Sequence, residues 1–188
     1  MMTAHATVIY TLDTINTAGF GPAPYGTVAV TLTNPTTAQI TFNNAPPYTF
    51  GEMGLNVNAT SFSADGLSFV LAPTSNQTPT FSIDIGGQLD GFGNFALDYV
   101  STPAGFSASL SSATFTLHDL SGTWTESTVL IGNSDGHEVA AHVFNAATGG
   151  NSAFAAGGPT TNPPPVPEPA SLAMLGVSAL MLRRRRVK

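Results

Sequence analysis

Four oxygen donors, Asp84, Asp90, Asn94 and Asp98, cluster across the turn GGQLDGFGN, and a second acidic turn holds Asn133, Asp135, Gly136 and Glu138. Hard oxygen ligands among glycine turns suit Ca2+, and Asp84, Asp90 and Asp98 are the candidate ligands. Neither stretch follows the EF-hand spacing, and Asp-Gly is above all a hairpin turn signal, so solvated carboxylates in Asx-type turns account for the same residues. Used in pairs, these acids would suit glycoside hydrolysis, which needs two carboxyls about 5 or roughly 7–9 Å apart in a cleft. No pair stands out along the chain. The run His137-Glu138-Val139-Ala140-Ala141-His142 has the residue types of H-E-x-x-H with one residue too many. Zinc binding by that motif needs histidines four apart on one helix face; five apart on a strand, they point to opposite faces. Tyr48, Phe50 and Trp124 have the chemistry of a sugar-stacking platform, although the single Trp, flanked by Thr123 and Thr125, can face core or surface and residue preferences lean to a buried or partly buried place. G-x-S-x-G, G-x-G-x-x-G and the P-loop are absent, and with no cysteine there is no thiol nucleophile.

The elements that must position these residues are strands. In GTVAVTLTN, Val28, Val30 and Leu32 alternate with Thr27, Ala29, Thr31 and Thr33. The same period of two runs through Phe81–Ile85, Phe95–Tyr99, Thr114–His118 and Glu138–Val143. Shorter apolar pieces occur at Val8–Leu12, Ile40–Phe42, Leu55–Val57, Leu67–Leu71 and Val129–Ile131. Asn34-Pro35, Pro46-Pro47, Asp65-Gly66, Gly86-Gly87, Asp90-Gly91, Ser121-Gly122 and Asp135-Gly136 separate them as turns. About ten short strands with no helix among them predict an all-β body over residues 7–144. The expected architecture is an antiparallel two-sheet sandwich, jelly-roll-like, with a single barrel as the alternative.

Charge narrows the function. The 188 residues hold 5 Lys+Arg, 11 Asp+Glu and no Cys, and charged residues are 9% of the chain, against roughly 25% in an average domain. All five cations are Arg183, Arg184, Arg185, Arg186 and Lys188. Without the last six residues the formal charge would move from −6 to −11, because every cation lies there and no acid does. The body has no Lys or Arg with which to grip nucleic acid or to orient a phosphate or carboxylate. No nucleic-acid partner is expected.

The C-terminus reads as a separate module. Residues 145–165 are rich in Gly, Ala, Asn, Thr and Pro and predict a linker. Val166, Pro167, Glu168 and Pro169 follow, and then thirteen uncharged residues: Ala170, Ser171, Leu172, Ala173, Met174, Leu175, Gly176, Val177, Ser178, Ala179, Leu180, Met181 and Leu182. These predict a single hydrophobic helix, roughly 20 Å long at 1.5 Å per residue, which is short of a ~30 Å hydrocarbon core unless the long Arg side chains snorkel. The Arg183–Arg186 cluster ends it as a basic stop and stays cytoplasmic by the positive-inside bias.

Val-Pro-Glu-Pro, an apolar helix containing Leu175-Gly176 and a terminal Arg cluster, in that order, resemble the PEP-CTERM sorting signal. The resemblance covers 166–188 and leaves the body unassigned. It implies a Gram-negative envelope protein, an inner-membrane-anchored precursor facing the periplasm, and cleavage near Pro167-Glu168-Pro169 by an exosortase. It also implies a link to exopolysaccharide and biofilm. Residues 1–6 carry Ala4-His5-Ala6, a small-x-small site of the signal-peptidase kind, without the charged and apolar regions of a leader, so the secretion signal is expected upstream. The function expected from this reading is a non-enzymatic surface or matrix protein with a structural, adhesive or carbohydrate-binding role. It would need no cofactor beyond the Ca2+ considered above. The alternative is an envelope polysaccharide hydrolase.

Overall fold

A computed structural model describes residues 7–158. The expected signal remnant at 1–6, the sorting residues, the apolar helix and the Arg cluster lie outside the described residues.

Eleven strands form: β1 (Thr7–Leu12), β2 (Thr14–Ile15), β3 (Gly26–Asn34), β4 (Thr37–Asn44), β5 (Tyr48–Leu55), β6 (Phe62–Leu71), β7 (Thr80–Asp84), β8 (Leu97–Thr102), β9 (Leu110–Asp119), β10 (Val139–Asn145) and β11 (Asn151–Gly157). Every pairing is antiparallel. The all-β reading therefore holds, but the sheets are one rather than two. A continuous hydrogen-bonded path runs β1-β3-β4-β9-β5-β10-β11-β2, with β6 added on β9 and the β7–β8 pair added on β5. This sheet, nearly a barrel, replaces the two separate sheets of the expected jelly-roll-like sandwich.

Two local features join what would otherwise be separate layers. Leu110 pairs with Leu71 of β6 and also with Phe50 of β5. At the other side β1 ends its pairing with β3 at Leu12, and the chain continues through Asp13 into β2, which pairs with β11. Asp13 N donates to Ala156 O at 3.2 Å, and Asn16 N to Phe154 O at 3.1 Å. The alternating apolar residues meet inside. Val28, Val30, Ile40, Phe42, Phe115 and Leu117 are buried together with Met53, Leu55, Leu97, Val139, Ala141 and Val143. Tyr99 of β8 lies 4.7 Å from Phe115 of β9, between strands that are not paired, so this contact crosses the interior.

Strands β5, β10 and β11 are buried on both faces along most of their length. Their outer side is covered by residues 85–96, whose Leu89, Phe92 and Phe95 pack on Ala140, Ala156 and Phe154. Such close cover requires small residues beneath it. A Cβ on Gly54 would stand 2.7 Å from Leu89 Cδ1 and 3.1 Å from Phe95 Cγ.

The expected linker is also corrected. Asn145 ends β10, Ala146–Thr148 form a 3-10 turn, and β11 pairs with β10 over seven residues. The body therefore extends past 144, at least to Gly157. The reason lies in the available space: Ala153 and Ala155 fill the interior where β11 passes β1, and a Cβ on Gly157 would run into the Thr11 carbonyl. Among the described residues no helix is long and apolar enough to cross a membrane.

The Gly157–Thr11 contact is backbone against backbone and has little room to yield. Gly157→Ala is expected to lower the unfolding free energy by about 1–3 kcal/mol. Urea denaturation of the two proteins, with unchanged urea dependence, checks this; equal midpoints would mean that β1 and β11 are not held in this register.

Candidate functional site

The antiparallel register of β7 and β8 places Asp84 opposite Asp98, and that of β5 and β8 places Gly54 opposite Asp98. Glu52 lies two residues before Gly54, so three carboxyls from three adjacent strands come together on the outer side of the sheet. The bare α-carbon of Gly87 closes over them: a Cβ there would meet Asp98 Oδ2 at 2.9 Å and Asp84 Oδ2 at 3.3 Å.

Asp98 is only 1% exposed. No donor reaches its Oδ1, and its side-chain hydrogen bond is to another carboxyl, Glu52. Two carboxyls share a hydrogen bond only when one carries a proton. Burial is the largest cause, the bond to Glu52 and the charges of Glu52 and Asp84 add to it, and together they push the Asp98 carboxyl up to about 8. Residues 7–158 contain no Lys or Arg to reverse this. At neutral pH the Asp98 carboxyl is thus held as the neutral acid.

The geometry of this cluster bears on two of the expected chemistries. Hydrogen-bonded carboxyls are closer than the separations glycoside hydrolysis uses, and a sealed Asp98 cannot reach a sugar. Among the described residues no group of three or more His, Cys, Asp or Glu side chains is arranged to hold a metal ion. The candidate ligands divide: Asp84 and Asp98 meet, while Asp90 sits on the covering segment, with its carbonyl accepting from Asn16 Nδ2 at 3.0 Å.

The second acidic turn is a clamp. Asn133 Oδ1 accepts from Asp135 N and His137 N, each at 3.0 Å. Its Nδ2 donates to Phe92 O at 2.8 Å and Asn94 O at 3.1 Å, tying the turn to the 85–96 cover. Glu138 Oε2 is buried without a partner. Burial first, and then the Glu138 charge, push Tyr10 up to about 12.

The two histidines do not share a site. His137 meets Phe92 edge-on at 4.9 Å, whereas His142 on β10 stacks on Phe154 at 4.4 Å with 10° between the planes. Burial pushes the His142 imidazole down. The stacking platform is corrected as well. Tyr48, Phe50 and Trp124 are 3%, 3% and 4% exposed, and their polar tips are used internally, Trp124 Nε1 donating to Asn58 O and the Tyr48 hydroxyl to Pro22 O, each at 2.8 Å. Period-two alternation around Trp124 left both faces open, and packing chose the inner one.

Glu52 is the member of the cluster that the turn-based reading missed. Its signal is a lone charge in YTFGEMGL, a strand otherwise buried at every position.

The tail decides the address of the protein. Residues 165–186 match the family model of the PEP-CTERM protein-sorting motif, starting one residue before Val166. The tail is a PEP-CTERM sorting motif. It marks an exported chain, held as a membrane-anchored precursor and processed by an exosortase to the cell surface. The PEP-CTERM match ends at the tail: no curated protein and no solved structure matches the chain, and the β body is unassigned.

The proton on Asp98 has a measurable consequence. The folded protein holds this carboxyl near 8 and the unfolded chain near 3.8, so between those values the folded state binds more protons and stability falls as pH rises. Asp98→Asn keeps a neutral hydrogen-bonding group and removes the loss. At pH 8 it is expected to be more stable than the parent by about 1–3 kcal/mol, with the difference vanishing near pH 4. Urea unfolding at pH 4, 6 and 8 reads this directly; an Asn variant less stable than the parent at pH 8 would contradict it.

Proposed function

We propose that this protein is a non-enzymatic component of the cell surface or extracellular matrix, with a structural, adhesive or carbohydrate-binding role linked to exopolysaccharide and biofilm. The PEP-CTERM match carries the reading. A body without Lys or Arg supports it, since such a body has no cation with which to orient an anionic substrate. The burial of Asp98 supports it too, because this acid is not presented to a bound sugar.

In the precursor, Ala170–Leu182 sits in the inner membrane with Arg183–Arg186 on the cytoplasmic side, so the body faces the periplasm. Proline disfavours helix in the residue before it, and Pro167 and Pro169 flank Glu168, which suits a segment that the exosortase must reach. Intact mass of the protein from the native host's extracellular fraction is expected to show a species ending near Pro169 and lacking Arg183–Lys188. Glu168→Ala is expected to shift the population to the full-length, membrane-bound form. A variant matured to the same extent as the parent would remove Glu168 from the cleavage mechanism, and a full-length parent found only in the inner membrane would make the tail a plain anchor.

A further inference from the structure

We propose that the outer face of the layer β1-β3-β4-β9-β6 binds a linear, uncharged polysaccharide. The inference rests on the surface-protein reading above and names the surface and the chemistry of the partner.

The observation is a register. Thr7, Thr31, Gln39 and Thr116 stand directly opposite one another across four successive strands. Four residues along β3, the row Thr11, Thr27, Asn43 and Ser112 repeats the pattern. Between the two rows, Thr41 faces Thr114. The alternation that sends Val28, Val30, Ile40, Phe42, Phe115 and Leu117 inward sends all of these outward, and none of them is buried. Two cross-strand hydroxyl pairs are hydrogen-bonded, Thr7 with Thr31 at 2.8 Å and Thr41 with Thr114 at 3.1 Å, so their positions are set before any ligand arrives.

The result is a face of hydroxyls and amides, with Ile9 and Ala29 completing the middle row, spaced about 4.8 Å across strands and roughly 6.8 Å along them. Each hydroxyl both donates and accepts, which matches the hydroxyls of a sugar, and each threonine adds a methyl to lie against the C–H faces of a pyranose ring. One strand spacing is comparable to the length of one such ring.

Charge selects among polymers. The outward positions of these strands hold one acid, Asp65, and one imidazole, His118, at the β6–β9 margin and 3.3 Å from each other. The rest of the face is neutral. Residues 7–158 carry ten of the eleven acids and no Lys or Arg, so an acidic polysaccharide meets repulsion without a compensating cation. Twist selects for flexibility. At about 20–25° per strand, the five strands turn through roughly 80–100°, which a single polymer chain can follow and a rigid lattice such as ice cannot.

The test is affinity electrophoresis of the protein recovered from the host, in native gels containing the neutral fraction of the host's exopolysaccharide, hydroxyethylcellulose, or alginate as the acidic control. Retardation by a neutral polymer that persists in 0.5 M salt is expected, with none by alginate. The triple variant Thr31→Val, Thr41→Val, Thr116→Val keeps volume and β-branching while removing three hydroxyls. It is expected to weaken retardation at least about fivefold with a melting temperature within about 3 °C of the parent. Thr41→Glu places a charge in the centre of the face and is expected to do the same. No retardation by either neutral polymer, retardation by alginate alone, equal retardation of both variants, or inhibition of ice growth in place of polysaccharide binding would each overturn the proposal. Such failures leave the sorting reading standing, because that one is decided by the mass of the secreted protein.

Discussion

The passage of β11 beside β1 is the contact on which the sheet depends. At Gly157 the two backbones come so close that no side chain fits between them, and hydrogen bonds from Asp13 and Asn16 then carry the N-terminal chain along β11. Without this closure β1 would be an edge and β11 would be a second one, each presenting an unpaired backbone. The first and last strands thus complete each other. The price of that closeness is composition: Ala153, Ala155, Ala156 and Gly157 are small because the interior, the covering segment and β1 leave little room.

The second constraint is electrostatic. With no Lys or Arg among residues 7–158, each acid must be solvated, hydrogen-bonded or protonated. Asp119 takes the second course: although its burial acts the other way, bonds from Ser121 and Gly122 hold its carboxyl below the usual range. Asp98 takes the third, sealed beneath Gly87 and hydrogen-bonded to Glu52. Outward-facing strand positions are filled by Thr, Ser, Asn and Gln, side chains that suit a pleated surface and need no counter-charge. The same poverty of charge that leaves Asp98 protonated leaves the β1-β3-β4-β9 face a neutral hydroxyl array. For a chain sent to the cell surface, a body that repels anions and presents hydroxyls in register is chemically coherent.

Several particular residues show how far the sequence could be read. Val28, Val30 and Leu32, or Phe115 and Leu117, alternate so regularly that strand and inward face follow at once from the period of two. The signal at Asp90-Gly91 falls in a turn, whereas Asp65-Gly66, expected as a turn between strands, lies inside β6, where a bulge takes Gly66 at positive φ. Residues 151–157 were illegible for the opposite reason: Ala and Gly in sequence look like a linker, and only the neighbours that crowd them make them a strand. Trp124 could face either way by alternation, and Glu52 gave one faint sign, a charge in an apolar strand. Asp84 and Asp98 flank one turn in the sequence, yet what joins them is strand pairing across β7 and β8.

The sequence by itself determined the all-β character of the body, its freedom from cations and the sorting address at its end. These are properties of periodicity, composition and a contiguous motif, each of which is written locally along the chain. Tertiary structure alone decided that the strands form one nearly closed sheet, that a run of Ala and Gly completes it, and that Glu52, Asp84 and Asp98 meet on three neighbouring strands. It also aligned the threonines of four strands into a single face. Those outcomes depend on which strands become neighbours and in what register, and a shift of one residue would have turned every one of those side chains to the other side.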